Sequence, residues 1–320
     1  MQGPRTNSRD HVMKKFFALI ALTGSIALSA QQDPQLTQFM FDRISINPGV
    51  AGINNELCLT GFYREQWSGF EGAPVTTVVN GHMPIRSINS GAGFTFFSDE
   101  LGQEQSTMFR GHFSYHFRNV GRGKLGLGAS VGFLSKRLGD DWRALDGVAN
   151  DNIIQENTVN AGTIDFAIGA YYKTDKFYLG LSSTHLSEGE FEDMGIQTAR
   201  HYYLMAGYKA SVSADFDILP NILVKSDEAS TTVDANVLGM YREMLWLGAS
   251  FRLDDAIAPM IGYRHELNEG RSALKIGYSY DVTISEIQNY SSGSHEIMLG
   301  YCMKLVKPLP PQIYKNTRFL

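Results

Sequence analysis

Two stretches of alternating residues decide the fold: FRGHFSYHF at 109–117 and LGLGASVGF at 125–133. In each stretch, aromatic or aliphatic residues occupy most positions of one phase, and small or polar residues occupy the other. A period of two places the two sets on opposite faces of a β-strand. The glycine-containing stretch 119–123 reverses the chain between them. The pattern predicts a hairpin with one apolar and one polar face.

Such a hairpin has two interpretations. In a soluble sandwich, the apolar face packs on a core and the polar face meets water. In a membrane barrel, the apolar face meets lipid and the polar face lines a lumen, and each strand needs about 9 to 11 residues to cross. Both strands of the hairpin reach this length, so the rest of the sequence is needed to distinguish the membrane barrel from the soluble sandwich.

The remaining sequence favours the barrel. Fourteen candidate strands follow one another at 57–67, 76–84, 91–98, 106–118, 124–136, 163–173, 176–186, 200–213, 216–225, 231–241, 244–253, 256–265, 272–281 and 295–306. Long connections such as 137–162 alternate with short ones such as 174–175, although 254–255 is short where a long loop is due. Long outer loops and short inner turns are typical of outer-membrane barrels. We predict an all-β fold: a transmembrane antiparallel up-and-down β-barrel of about 14 strands, with long extracellular loops and short periplasmic turns.

The chain divides into four segments. Residues 1–30, including an N-terminal extension at 1–12, read as a secretory signal peptide, because Lys14 and Lys15 precede an apolar run that ends in small residues. Residues 31–56 are predicted to be a periplasmic lead-in docked against the barrel end. Residues 57–306 form the barrel, and the proline-containing residues 307–320 form a periplasmic tail.

Composition and motifs exclude several functions. Residues 1–30 carry four basic and one acidic side chains, so removing them lowers the formal net charge from −5 to −8. An acidic exported protein is a poor nucleic-acid binder. No hydrolase, metalloprotease, P-loop or dinucleotide motif occurs. His112 and His116 share a strand face but lie about 13 Å apart, too far to share a metal ion. We predict no enzymatic activity, no catalytic residue, no metal site and no cofactor.

Two cysteines, Cys58 and Cys302, lie near the start of the first candidate strand and the end of the last. Barrel closure pairs these strands antiparallel, so the two side chains should have similar height and face the lumen. Because disulfide geometry is narrow, the sequence favours two unpaired thiols, with a cross-strand disulfide as the alternative.

Several sequence blocks carry a resemblance that spans the mature chain. They are DPQLTQFMF at 33–41, SINPGVAG at 45–52, YREQW at 63–67, GAPVT at 72–76, FSDELG at 97–102 and YSSGSHEI at 290–297. In these blocks and their order, the chain resembles the PorP/SprF family of type IX secretion system outer-membrane proteins. Small departures occur at 49–50 and at Ser294.

The resemblance implies an integral outer-membrane barrel that contacts outer-membrane lipid and has no enzymatic activity. It also implies partners: periplasmic ring components of the secretion machinery, and the C-terminal domain of a secreted cargo protein, which includes gliding adhesins in this family. The blocks suggest ten partner-contact residues: Arg64, Gln66, Trp67, Gly72, Pro74, Ser98, Asp99, Tyr290, His295 and Glu296. A lumen of this width could hold a peptide segment or a plug. The alternative function is an outer-membrane diffusion channel, a porin for small or apolar solutes.

Overall fold

The computed structural model describes residues 33–140, 157–227, 229–253 and 255–305, and its main feature is one closed antiparallel sheet. The strands in chain order are β1 Glu56–Glu65, β2 Val75–Ile85, β3 Ser90–Leu101, β4 Glu104–Val120, β5 Gly123–Leu138, β6 Val159–Lys173, β7 Phe177–Thr184, β8 Glu190–Phe191, β9 Ile196–Gln197, β10 His201–Tyr208, β11 Ala210–Ser211, β12 Phe216–Ser226, β13 Thr231–Tyr241, β14 Leu245–Arg252, β15 Ala256–Leu267, β16 Ser272–Thr283 and β17 Ser294–Lys304. Short 3-10 turns lie at Phe39–Phe41, Pro48–Val50, Arg86–Ile88, Glu192–Met194 and Glu286–Asn289.

The sheet closes into a barrel of fourteen strands, as the sequence predicted. Each barrel strand pairs with its neighbours in the chain, β10 pairs with β12, and β1 pairs with β17. The short strand β11 continues β10 after a break at Lys209, and β8 and β9 form a separate small hairpin. Pairing stops on β12 between Asn221, which lies opposite Gly207, and Ile218, which lies opposite Ala210. This gap contains Pro220, which has no N–H for the ladder. The predicted strand 200–213 is therefore divided.

The seam between β1 and β17 carries a disulfide. Cys58 and Cys302 are directly paired residues of the two strands, with their Cα atoms 4.1 Å apart, and their sulfur atoms are bonded. The prediction of two unpaired thiols was wrong. Register decided the outcome, because antiparallel closure brings these two residues opposite each other without an offset.

The two faces of the sheet have the predicted polarity. On β4, Phe109 is 57% exposed on the outside, whereas the neighbouring Arg110 is 2% exposed and points into the lumen. The same contrast holds on β6, where Ile164 lies outside and Asp165 inside, and on β14, where Leu247 lies outside and Arg252 inside. Apolar outer side chains belong in hydrocarbon and polar inner ones in an enclosed space. No helix among the described residues is long and apolar enough to cross a bilayer.

The connections at the two barrel ends differ in length. At one end the turns are 86–89, 121–122, 174–176, 212–215, 242–244 and 268–271, none longer than four residues. The other end carries the longer connections, including 66–74, 185–200 and 284–293. This end is extracellular by the rule for outer-membrane barrels. The predicted loop 99–105 is shorter than expected, because β3 and β4 continue to a two-residue turn at 102–103.

The lead-in lies within the lumen, whereas we had expected it to dock against the barrel end. Residues 33–53 are largely buried, and Phe39, Met40, Ile44 and Val50 pack with inward side chains of the wall. Three predicted parts lie outside the described residues: the signal peptide 1–30, residue 306 of the last predicted strand and the tail 307–320.

Glycines on β5 allow the lead-in to lie directly against the wall. A Cβ atom on Gly126 would lie 2.2 Å from the Gly49 carbonyl oxygen, and one on Gly128 would lie 2.3 Å from the carbonyl carbon of Pro48. Real Cβ atoms do not approach this closely. The small lumen-facing residues therefore provide space that the chain fills with its own N-terminal part.

Candidate functional site

A buried ion cluster attaches the start of the lead-in to the barrel wall near its extracellular end. Arg64 on β1 lies with its guanidinium 2.8 Å from Asp281 on β16 and 3.3 Å from Glu296 on β17. The Glu296 carboxylate accepts hydrogen bonds from the backbone N–H groups of Thr37 at 2.7 Å and Gln38 at 2.8 Å. Charge-assisted bonds of this kind are stronger than neutral ones. The cluster thus joins three strands to the lead-in.

The same cluster extends around the wall through a second arginine. Arg252 on β14 donates to Asp234 at 2.7 Å and Asp255 at 3.0 Å, and its guanidinium lies 3.7 Å from Asp281. The Thr37 hydroxyl donates to the Asp281 carboxylate and accepts from Nη1 of Arg64, each at 2.8 Å. Buried carboxylates need paired cations and hydrogen-bond donors. This network supplies both, so these charged side chains stabilise the fold.

The middle of the lead-in is fixed by a fully buried asparagine. Asn47 donates from its amide nitrogen to the carbonyl oxygens of Ala170 on β6 and Leu181 on β7, at 3.0 and 3.2 Å. Its own oxygen accepts from the N–H of Gly49 and starts the 3-10 turn Pro48–Val50. An unpaired buried amide would be costly, so these bonds determine the depth of the lead-in. The NPG block at 47–49 therefore has a structural role.

A second cluster lies at the extracellular mouth of the lumen, around the first described residue. Asp33 accepts from the Tyr203 hydroxyl at 2.6 Å, and its other oxygen lies 2.8 Å from Nε2 of His185. Nδ1 of His185 lies 3.0 Å from an Asp165 oxygen. His201 stacks close by, with its ring centroid 5.7 Å from that of His185.

The pKa values of this mouth cluster reflect its charges. Burial alone would raise the pKa of Asp33, but the His185 and His201 imidazoles and the bonds from His185 and Tyr203 hold it well below its usual range. His185 follows the end of β7, outside the spanning strands. Burial alone would lower the pKa of His185, but Asp33 and Asp165 outweigh it and raise the pKa to about 9. This cluster could not be predicted from the sequence, because its members are far apart in the chain and share no motif.

On the extracellular surface, two loops pair with each other. We call residues 66–74 and 284–293 the paired loops. The Ser68 N–H donates to the Gly293 carbonyl at 2.7 Å, and the Ser292 N–H returns a bond to the Ser68 carbonyl at 2.8 Å. The Trp67 N–H donates to the Ser294 hydroxyl at 3.1 Å. These bonds give the loops a fixed shape.

The paired loops present large side chains to the outside. Tyr290 is 72% exposed and Phe70 is 45% exposed. The Gly102 N–H donates to the Gly72 carbonyl at 2.9 Å, so the β3–β4 turn, with the exposed Leu101 beside it, adjoins the same surface. Exposed apolar groups held in fixed positions are typical of interaction surfaces.

The structure brings together only some of the ten residues suggested by the sequence blocks. Gln66, Trp67, Gly72, Pro74 and Tyr290 belong to the paired loops. Arg64 and Glu296 lie inside the barrel, where they hold the lead-in.

The other three residues are dispersed. Asp99 lines the lumen mouth and accepts from the Thr76 hydroxyl. Ser98, its neighbour in the strand, belongs to the opposite face. His295 lies on the outer rim, where its Nδ1 is 2.7 Å from the Tyr278 hydroxyl. The residues of one sequence block thus divide between the lumen and the outside because a strand alternates its faces.

A closed fourteen-stranded sheet with an apolar outside, a polar inside and a lumen that holds the N-terminal segment defines an integral outer-membrane β-barrel. Residues 28–301 match the family described as "Type IX secretion system membrane protein PorP/SprF". The chain belongs to this family, as the sequence blocks predicted. No curated protein matches the chain.

Two solved structures with a TM-score of 0.50 support the barrel fold. The CymD monoaromatic hydrocarbon channel has a TM-score of 0.50 and 13% identity, over 85% of this chain and 94% of that one. A TodX deltaS2S3 mutant, also a monoaromatic hydrocarbon channel, has a TM-score of 0.50 and 9% identity, over 78% and 90%. The Acinetobacter baumannii outer membrane protein Omp33 has a TM-score of 0.42 and 9% identity, over 78% and 97%. At these identities the similarity concerns the fold alone.

Proposed function

We propose that this barrel binds the C-terminal domain of a secreted type IX cargo protein at the cell surface, through its paired loops, and associates with periplasmic components of the secretion machinery. The chain belongs to a family of outer-membrane components of this system. The observation that carries the cargo proposal is the ordered, exposed surface of the paired loops above a lumen that is already occupied.

The shape of the paired loops supports a protein partner over a small solute. Their reciprocal backbone bonds fix Phe70 and Tyr290 before a partner arrives, which lowers the entropy lost on binding. Aromatic side chains are enriched among residues that dominate protein–protein binding. The surface is poor in charge, because Glu71 and Glu286 are its acidic residues and it contains no lysine or arginine. A partner would therefore contact it mainly through apolar groups and backbone bonds.

The occupied lumen disfavours the alternative of an open diffusion channel. The lead-in residues Thr37, Asp42 and Asn47 all make buried hydrogen bonds to the wall at different depths. A solute would have to displace this segment. The channel alternative predicts steady conductance of the purified protein in planar bilayers without any partner, whereas the cargo proposal predicts none.

A pull-down from the cell envelope tests the proposal. Tagged wild-type protein should co-purify secreted proteins that carry type IX C-terminal domains. A variant that combines Phe70→Ala and Tyr290→Ala should lose most of this cargo while retaining the ring components, because the periplasmic end is unchanged. Heat-dependent mobility on gels checks that the barrel is folded.

The matched control is Ile88→Ala. Ile88 is an exposed apolar residue in the periplasmic turn 86–89, 52% exposed, so its loss removes similar surface at the opposite end. Cargo recovery should be unchanged in this variant. Equal cargo recovery from the loop variant and from wild type would refute the proposed binding surface.

A further inference from the structure

We propose that Asp33, His185 and His201 form a binding site for a divalent transition-metal ion of the zinc type at the extracellular mouth of the lumen. One ligand atom from each of the three residues lies within 4.8 Å of the others. Two imidazoles and one carboxylate are a ligand set that zinc uses when a fourth position stays open to water or an exogenous ligand. The imidazoles disfavour calcium and magnesium, which prefer oxygen ligands.

An unpartnered nitrogen marks the site. His201 is 2% exposed, and its Nε2 has no hydrogen-bond partner among the residues that the structure describes. Its Nδ1 lies 3.1 Å from the Ala199 carbonyl oxygen and donates to it, so in the neutral imidazole Nε2 presents its lone pair. A buried acceptor without a donor costs free energy. A bound cation would satisfy it.

The outer contacts of the other two ligands have the arrangement found around metal sites. His185 turns Nδ1 to Asp165 and Nε2 to Asp33, and a carboxylate behind a histidine fixes its orientation and raises its basicity as a ligand. The Tyr203 hydroxyl donates to Asp33 and fixes that carboxylate. In the metal-free protein, a proton on His185 bridges to Asp33. A metal ion would replace this proton, and the 2.8 Å distance between Nε2 of His185 and the Asp33 oxygen would increase to admit it.

The charges and the space around the ligands permit a cation. Asp33, Asp165 and Asp227 lie in the vicinity, against Arg110 and Lys225. With a neutral His185, these groups leave one net negative charge for the ion. A cavity of about 140 Å³ adjoins Asp33, His185 and His201 and reaches Lys136 and Glu104 at the mouth. It provides an access route and room for a water ligand.

The consequence of such a site is a connection between the lead-in and the wall. Asp33 belongs to the lead-in, His185 follows β7 and His201 begins β10. One ion would thus hold three separate parts of the chain at the end of the lumen where the paired loops lie. Metal binding would stabilise the folded state by an amount that grows with the logarithm of the free metal concentration once this exceeds the dissociation constant.

The test is zinc titration of the full chain in detergent micelles, purified without a histidine tag and treated with chelator. Competition with a chromophoric chelator should give one tight equivalent in the wild-type protein. His201→Ala should weaken binding at least about 100-fold, and Tyr203→Phe about 10-fold, as expected for an outer-contact residue. His265→Ala is the control, because His265 is exposed on the far part of β15, and it should bind as wild type does.

A second measurement needs no variant. X-ray absorption of the zinc-loaded wild-type protein should show a mixed nitrogen and oxygen shell with the scattering of two imidazoles. An oxygen-only shell, binding without a tight equivalent, or equal affinity in wild type and a folded His201→Ala variant would each overturn the proposal.

Discussion

Replacing Glu296 with glutamine should release the start of the lead-in from the wall. The Glu296 side chain is fully buried and accepts the N–H groups of Thr37 and Gln38 on its two oxygens. Glutamine keeps one oxygen, but its amide group faces the other N–H, so one buried donor loses its partner. Such an orphan donor costs about 1–3 kcal/mol, and loss of the charge weakens the remaining bond by about 1 kcal/mol. The local cost is therefore about 2–4 kcal/mol.

Hydrogen exchange measures this local opening directly. Because each 1.4 kcal/mol is roughly a factor of ten, the exchange protection of the Thr37 and Gln38 amides should fall about 30- to 700-fold. Deuterium uptake of peptides that span residues 35–40 reports it, in micelles at neutral pH. Relief of a buried charge offsets part of the loss in global stability, but it does not restore the missing acceptor at these amides.

Glu190→Gln provides the control, because Glu190 is an exposed glutamate in the hairpin β8–β9. Its uptake pattern over residues 35–40 should equal that of wild type. Unchanged protection in Glu296→Gln would contradict the assignment of this side chain as the anchor of the lead-in.

Three further predictions concern the seam and the lead-in. Joint replacement of Cys58 and Cys302 by serine should lower the free energy of unfolding in urea by up to about 5.5 kcal/mol, the loop-closure value for a separation of 244 residues. An unchanged urea midpoint would contradict this. Burial raises the pKa of Asp42 from 3.8 to about 6, against the bonds from its neighbour, and all of its hydrogen bonds end on Oδ1. Because the pKa of Asp42 is higher in the folded state, the free energy of unfolding should fall as the pH rises from about 4 to about 6. Asp42→Asn should therefore stabilise the protein at pH 7 by up to roughly 3 kcal/mol and have almost no effect at pH 4. Urea titrations of both proteins at the two pH values measure this difference. Gly128→Ala should cost about 1–3 kcal/mol by overpacking and speed exchange of residues 45–53, while Gly111→Ala, whose Cβ would have its nearest neighbour at 3.9 Å, should do neither.

The barrel itself could be predicted because each strand carries its own evidence. The alternation at 109–117 and 125–133 predicts which side chains face lipid, and this prediction requires no information about distant residues. Strand number and the side of the long loops follow from counting such segments. Strand ends were less accurate, since β3 and β4 extend past the predicted 99–105 loop. Hydrogen bonds to a neighbouring strand extend a ladder beyond the alternating core.

The lead-in and its contacts could not be predicted in the same way. The segment has no period, so its apolar residues, such as Phe39 and Met40, do not indicate which surface they contact. The mouth cluster joins Asp33 to His185 across 152 residues, and only the closed barrel brings them together. For Cys58 and Cys302, the facing positions were predictable, whereas bond formation depended on a register that turn lengths do not reveal.

The disulfide at the β1–β17 seam limits how anything can reach or leave the interior. Backbone hydrogen bonds between two strands can separate and form again, but a sulfur–sulfur bond at the same place cannot part without a reductant. The barrel wall is therefore covalently closed where the first and last strands meet. The segment before β1 occupies the interior of this closed wall. Under oxidising conditions, no chain segment can pass sideways between β1 and β17. The inner segment can then move only along the barrel axis.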